Sequence, residues 1–133
     1  MYTHPKLAAF NQGLEALFRE VDLELEDRWG DAYALHPNRP RRDTTANPEM
    51  DGLFEIAPDF TLGLGSERGR GYLVSLRLAT LDKVDPGCFE VLLEESAALV
   101  REKLPRYFPG RSLEVVRDGK RFKITGDFSL GEA

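Results

Sequence analysis

Residues 113–124 read LEVVRDGKRFKI, two runs of alternating apolar and charged residues joined at Asp118-Gly119. An Asp-Gly pair between two such runs signals a hairpin with a two-residue type I′ turn, because both central positions of that turn need positive φ. This reading sets Arg117 opposite Lys120, Val115 opposite Phe122 and Leu113 opposite Ile124. On the other face Glu114 meets Lys123, a cross-strand charge pair worth about 0.2–1 kcal/mol. The hairpin then has one apolar face, and that face needs a cover.

The cover is legible upstream. Asp85-Pro86-Gly87 opens a helix, with Asp85 as cap and Pro86 in the first helical position. Phe89, Leu92, Leu93, Ser96, Ala97, Val100 and Leu104 fall on one of its faces, and Pro105 marks its stop. A second apolar row, Leu7, Phe10, Leu14, Leu17, Phe18, Val21 and Leu25, has helical spacing and predicts a helix over 4–29 that ends near Gly30. Thr3 can cap it and Pro5 suits its first turn. Between the helices the period falls to two. Phe60, Leu62 and Leu64, then Tyr72, Val74, Leu76 and Leu78, read as strands joined by the glycine-rich GSERGRG. Leu53, Phe54 and Ile56 extend the first of these, and Pro58 marks it as an edge or a bulge. The order is α-β-β-α-β-β. It predicts one α+β domain over residues 1–133, a two-layer sandwich in which two helices cover one face of a four-stranded antiparallel sheet. The opposite face would carry Arg77, Glu114, Val116, Arg121 and Lys123.

With 133 residues, 41% hydrophobic and 31% charged, the chain has the composition of an ordinary folded domain. Its single cysteine, Cys88, excludes an internal disulfide and a cysteine-rich zinc site. At the head of the second helix, Cys88 reads as a small buried residue beside Phe89. No apolar run approaches the length of a membrane span, and MYTHPKLAAF lacks the pattern of a signal peptide. The expected compartment is the cytoplasm, with no membrane partner. The net charge of −5 conceals segregation: residues 14–31 carry −5, residues 82–100 carry −4, and residues 101–123 carry +5. Such complementary segments can pair within the fold, pair across a homodimer, or mark a local anion site.

The principal lead to function is HPNRPRRDTTANPEMDG, residues 36–52. An irregular loop spanning about 31–52 is long for a compact domain, and long loops tend to serve binding. His36, Arg39, Arg41 and Arg42 crowd into it, and guanidinium forks suit carboxylate and phosphate oxygens. Arg68 and Arg70 project from the GSERGRG turn, and convergence with the loop would gather five arginines. Competing motifs are weaker. In NPEMDG a calcium loop would require glutamate where Pro58 stands. GLGSERGRG leads into a strand, whereas a phosphate cradle needs a helix, so its glycines read as positive-φ turn residues. Asp22 and Glu26, one helical turn apart, read as a solvated pair and not as metal ligands. The basic residues from Arg101 to Lys123 could form a stripe for RNA, yet Phe122 points inward and leaves no stacking platform. The reading is a small non-enzymatic cytoplasmic binding module without metal or cofactor. Its partner is a protein or an anionic small ligand, and self-association as a homodimer is compatible with it. The alternatives are an enzyme acting on a phosphorylated or carboxylated small molecule, or an RNA-binding domain. Fold analogy decides none of these.

Overall fold

A helix start cannot use the N–H that proline lacks, and the first helix, α1, begins at such a residue and spans Pro5–Trp29. The computed structural model describes residues 5–47, 50–66 and 69–126. After α1 come β1 (Phe54–Thr61), β2 (Gly71–Leu78), α2 (Pro86–Tyr107), β3 (Leu113–Asp118) and β4 (Arg121–Gly126). The element order is the one expected, and the architecture is a two-layer α+β sandwich. The strands form one antiparallel sheet in the order β1-β2-β4-β3. Phe54, Ile56, Val74, Leu76, Phe122 and Ile124 from the sheet join Leu14, Leu17, Val21 and Leu25 of α1 in one core. Leu93, Val100 and Leu104 of α2 belong to the same core. Pro58 sits inside β1 opposite Val74, and β1 is an edge strand. An edge tolerates proline because only one of its sides is paired.

The first strand, expected over Phe60, Leu62 and Leu64, instead runs Phe54–Thr61; the chain leaves the sheet before Gly63 and Gly65, whose φ is positive, and Phe60, Leu62 and Leu64 are exposed. Two further details differ from the sequence reading. The final hairpin pairs Asp118 with Arg121, Arg117 with Phe122, Val115 with Ile124 and Leu113 with Gly126. Its two-residue loop is therefore Gly119-Lys120. Gly119 has φ +66°, and neither Asp118 nor Lys120 takes a positive φ. Glycine at the first central position alone is the type II′ pattern, which spares Asp118 the left-handed region. The register moves by two residues, so every side chain keeps its face. Glu114 now lies opposite Thr125, and the expected Glu114–Lys123 pair does not form. The second difference is Pro105, which lies within α2 and does not stop it. So near the C-terminus few helical bonds remain to be lost, and the Phe108 N–H closes the end on the Leu104 carbonyl at 2.9 Å.

The segregated charges pair in part within the chain. Lys103, expected on a basic surface, is buried between the helices. Its Nζ lies 2.8 Å from Glu24 Oε1 and 3.4 Å from Glu20 Oε1. Tyr107 donates its hydroxyl to Glu20. That bond, followed by Lys103, holds the Glu20 carboxyl below its ordinary pKa. Arg28 pairs with Glu95 at 3.5 Å and Arg117 with Glu90 at 2.6 Å. The sheet's outer face is also partly covered. Lys123 is buried there beneath the β1–β2 loop, with Nζ 2.6 Å from Asp118 Oδ2, 2.6 Å from the Gly69 carbonyl and 3.2 Å from Ser66 Oγ. A Cβ on Gly71 would strike the Ile124 carbonyl oxygen and meet the Lys123 stem at 2.8 Å, so a side chain there would disturb both β4 and this lysine. The turn glycines behave as expected, with φ +76° at Gly63, +80° at Gly65 and +73° at Gly69.

The interhelical pair yields a contrast. Glu20→Gln combined with Glu24→Gln leaves a buried lysine without a counterion and is expected to cost about 3 kcal/mol. Lys103→Met lets two partly exposed carboxylates return to water and is expected to cost less than about 1 kcal/mol. Urea unfolding of the two variants measures the difference.

Candidate functional site

The chain from α1 to β1 is irregular, as expected, yet its far end is tightly held. Asp51, Gly52, Leu53 and Phe54 are buried, and buried backbone polar groups need partners. Arg39 supplies three. Its Nε donates to the Gly52 carbonyl at 3.0 Å, and its Nη2 donates to the carbonyls of Asp51 at 3.0 Å and Phe54 at 3.3 Å. Its Nη1 lies 3.5 Å from Glu55 Oε1. From the other side Glu26 of α1 accepts the Phe54 N–H at 2.8 Å and also the Leu53 N–H. The Gly52 N–H reaches the Pro40 carbonyl at 3.0 Å, and the Leu53 carbonyl accepts the Ala79 N–H at 2.7 Å. Asp51 Oδ2 accepts from Thr45 Oγ1 at 2.7 Å and from the Thr45 N–H at 3.0 Å. Gly52 takes φ +75°, and a Cβ there would strike the Glu26 carboxylate. The loop is folded onto the end of α1 by these contacts.

Above this anchor lies a cleft of about 750 Å³. One wall is the end of α1 and the turn after it, with Glu26, Gly30, Asp31, Tyr33 and Leu35. The other is the arginine loop, with Arg41, Arg42 and Gly52, and Asp82 also lines the cleft. Asp82 Oδ2 accepts the Ala34 N–H at 2.9 Å and fixes the first wall. Arg42 donates to Asp27 Oδ1 at 2.5 Å and to the Leu23 carbonyl at 3.4 Å. Arg41 is exposed, and no ion pair or hydrogen bond of its guanidinium occurs among the described residues. Burial pushes the Glu26 carboxyl above its ordinary pKa, against the opposing pull of the Phe54 and Leu53 amides.

The residues anticipated from sequence therefore separate. Arg41 and Arg42 line the cleft. Arg39 holds the loop from within, with its side chain only 13% exposed. His36 lies in the loop, half-buried, and its Nδ1 accepts the Asn38 N–H at 3.0 Å. Arg70 is exposed at the opposite end of the β1–β2 hairpin. The loop joins that hairpin where Phe54 faces Leu78, and Arg70 adjoins the end where Thr61 faces Gly71. Seven strand steps intervene, roughly 23 Å. Arg70 and the loop do not converge. Arg68 lies outside the described residues. Asp22 and Glu26, expected in solvent, are both buried. Cys88, expected in the core, is exposed. Of the eight cations from Arg101 to Lys123, Lys103 and Lys123 are buried and Arg117 pairs with Glu90, which withdraws these three from a basic surface. No cluster of three or more histidine, cysteine or acidic side chains suited to a metal occurs among the described residues. No described helix is long and apolar enough to cross a membrane.

Sequence reasoning missed Glu26, Gly30, Tyr33 and Asp82 as cleft residues. One signal was present for Glu26. Phe18, Asp22 and Glu26 form a row at spacing four on the flank of the buried face, so both acids were placed to be drawn inside.

These features define a two-layer α+β protein with a cleft beneath an arginine-bearing loop. Residues 5–126 match a family described as "Uncharacterised protein", and the chain belongs to that family. A protein of Borreliella burgdorferi, carrying the description "Uncharacterized protein", is 39% identical over 125 residues that cover 92% of this chain and 98% of that one. No solved structure matches the chain.

Two outcomes follow from the anchor. Arg39→Ala removes a charged donor from several buried carbonyls and is expected to cost about 3 kcal/mol. Arg39→Lys should not restore it, since an ammonium lacks the fork. Guanidinium denaturation checks both. For Glu26, the folded pKa exceeds the unfolded one, so the folded state holds the proton more tightly. The resulting penalty is absent below the ordinary glutamate pKa, grows as pH rises towards the folded value, and is complete above it. The stability of Glu26→Gln relative to wild type should therefore be more favourable at pH 7 than at pH 4. Thermal unfolding across that range measures it, and a constant difference would contradict the assignment.

Proposed function

We propose that the protein is a small cytoplasmic binding module, not an enzyme, and that Arg41 in the cleft lining receives a carboxylate or phosphate from a protein partner or a small anionic ligand. The supporting observation is the division of labour among the loop arginines. Arg39 is engaged by backbone carbonyls and Arg42 by Asp27, whereas Arg41 faces the cleft with its guanidinium uncommitted among the described residues. A loop fastened at its base holds that group with little further ordering cost, which favours binding. Neighbouring Arg42 adds positive potential even while paired. Homodimerisation belongs to this reading only if the loop or cleft lies at the dimer interface.

One observation favours the enzymatic alternative. A carboxyl raised in pKa and lining a cleft beside arginines is the arrangement that acid–base chemistry uses. Against it, Glu26 is already occupied by the Leu53 and Phe54 amides.

Titration of the labelled protein with phosphate, citrate and acetate at constant ionic strength tests the proposal by amide chemical shifts. The expected shifts fall at residues 31–35 and 41–42 and disappear in Arg41→Ala. Shifts spread evenly over Arg70, Arg111 and Arg121, or unchanged in Arg41→Ala, would overturn it.

A further inference from the structure

A second cavity adjoins the cleft. It is a groove of about 440 Å³ between the end of α1 and the first turns of α2, lined by Trp29, Ala32, Tyr33, Val91 and Leu92 among others. Ala32 and Tyr33 line both cavities. Trp29 is 38% exposed and Val91 52% exposed, so two large apolar side chains of the groove remain in contact with water. Exposed apolar surface gathered in a concavity is characteristic of a binding site. Here it lies next to a cleft lined by Arg41, whose guanidinium is uncommitted among the described residues.

We propose that cleft and groove form one bipartite site for an amphipathic monocarboxylate, with its carboxylate on Arg41 and its hydrocarbon body against Trp29, Val91 and Leu92. The inference rests on the reading of Arg41 as an anion-binding group and extends it to the ligand's class. Two features select that class. The two cavities are neighbours, sharing Ala32 and Tyr33 in their linings, so a single chain laid across these two residues reaches both. The acids of the cleft wall, Glu26, Asp31 and Asp82, oppose a second negative charge, so a single carboxylate fits better than a phosphate dianion. Asp82 and Glu26 already accept backbone N–H groups, which leaves Arg41 to take the ligand's head.

Trp29 is the only tryptophan of the chain, so its emission reports groove occupancy directly. The probes are octanoate, octyl phosphate, 1-octanol and acetate, each kept below its aggregation or solubility limit. Octanoate should shift Trp29 emission to the blue and bind about tenfold or more tighter than acetate, because the chain removes apolar surface from water. It should also bind more tightly than octanol and octyl phosphate. Arg41→Gln should weaken octanoate about tenfold, the loss of one charged hydrogen bond, and leave octanol unchanged. Val91→Asp, an exposed position that leaves the core intact, should weaken octanoate while acetate still moves the amides of residues 41–42. Circular dichroism verifies that both variants fold. Octanol binding as tightly as octanoate, octyl phosphate binding more tightly, or octanoate indifferent to Arg41→Gln would each overturn the inference. Acetate moving the 41–42 amides while octanoate binds no better would sink the amphipathic class and leave the anion reading standing. If no anion moves those amides, both readings fall.

Discussion

The backbone of Asp51–Phe54 is gripped from two sides by opposite charges, and the working surface of the molecule depends on that grip. Arg39 reaches its carbonyls and Glu26 its amides. Each ionised side chain would be costly to bury alone. Here the guanidinium is satisfied by peptide oxygens and the carboxylate by peptide hydrogens. The pair are not partners of one another; the peptide chain lies between them. This segment is also the entry to β1, so the same contacts that fasten the loop set the start of the edge strand. Gly52, with positive φ and no side chain, is what allows the carboxylate to approach.

The anchor explains why a long irregular connection persists in a small domain. Its distal end is part of the core, and its proximal end is tied to the β2–α2 connection through the His36 N–H on the Ala79 carbonyl and Asp82 on the Ala34 N–H. Between these ties, Arg41 and Arg42 line the cleft, and Arg42 is held by Asp27. Charge elsewhere follows a similar rule. Lys103 and Lys123 are buried, and each meets a carboxylate within 2.8 Å. An acidic protein with a basic segment at residues 101–123 thus pairs part of its segregated charge internally. Of the three arginines of the loop, Arg41 is the one whose guanidinium makes no ion pair or hydrogen bond among the described residues.

Much of the fold was legible because it rests on local rules. Helical spacing located α1, Asp85-Pro86 located the start of α2, and alternation located β2, β3 and β4, whereas for β1 the alternation of Phe60, Leu62 and Leu64 pointed past the strand's end at Thr61. Failures arose where geometry beyond the local pattern decides. Asp118-Gly119 named a turn, but which two residues occupy it depends on which of them accepts positive φ, and only Gly119 does. Pro105 was read as a stop because the rule for helix interiors weakens near a terminus. Asp22 and Glu26 were assigned to solvent by their charge, although their place on the helical row put them inward. Cys88 was assigned to the core by residue type, although its position in the first turn of α2 turned it outward. The arginine loop was correctly singled out, but composition could not separate the arginine that builds it from the one that faces the cleft. That distinction requires knowing where the carbonyls of Asp51, Gly52 and Phe54 point, and the sequence carries no sign of it.

Native-state amide hydrogen exchange of the unmodified protein tests the central claim most directly. If the Arg39–Glu26 grip makes the loop's base part of the cooperative core, the amides of Gly52, Leu53 and Phe54 exchange only through global unfolding, with protection equal to that of Val74 and Leu76. Exchange of those three amides at the rate of the exposed loop positions Asn38 and Asp43, while β2 remains protected, would contradict it.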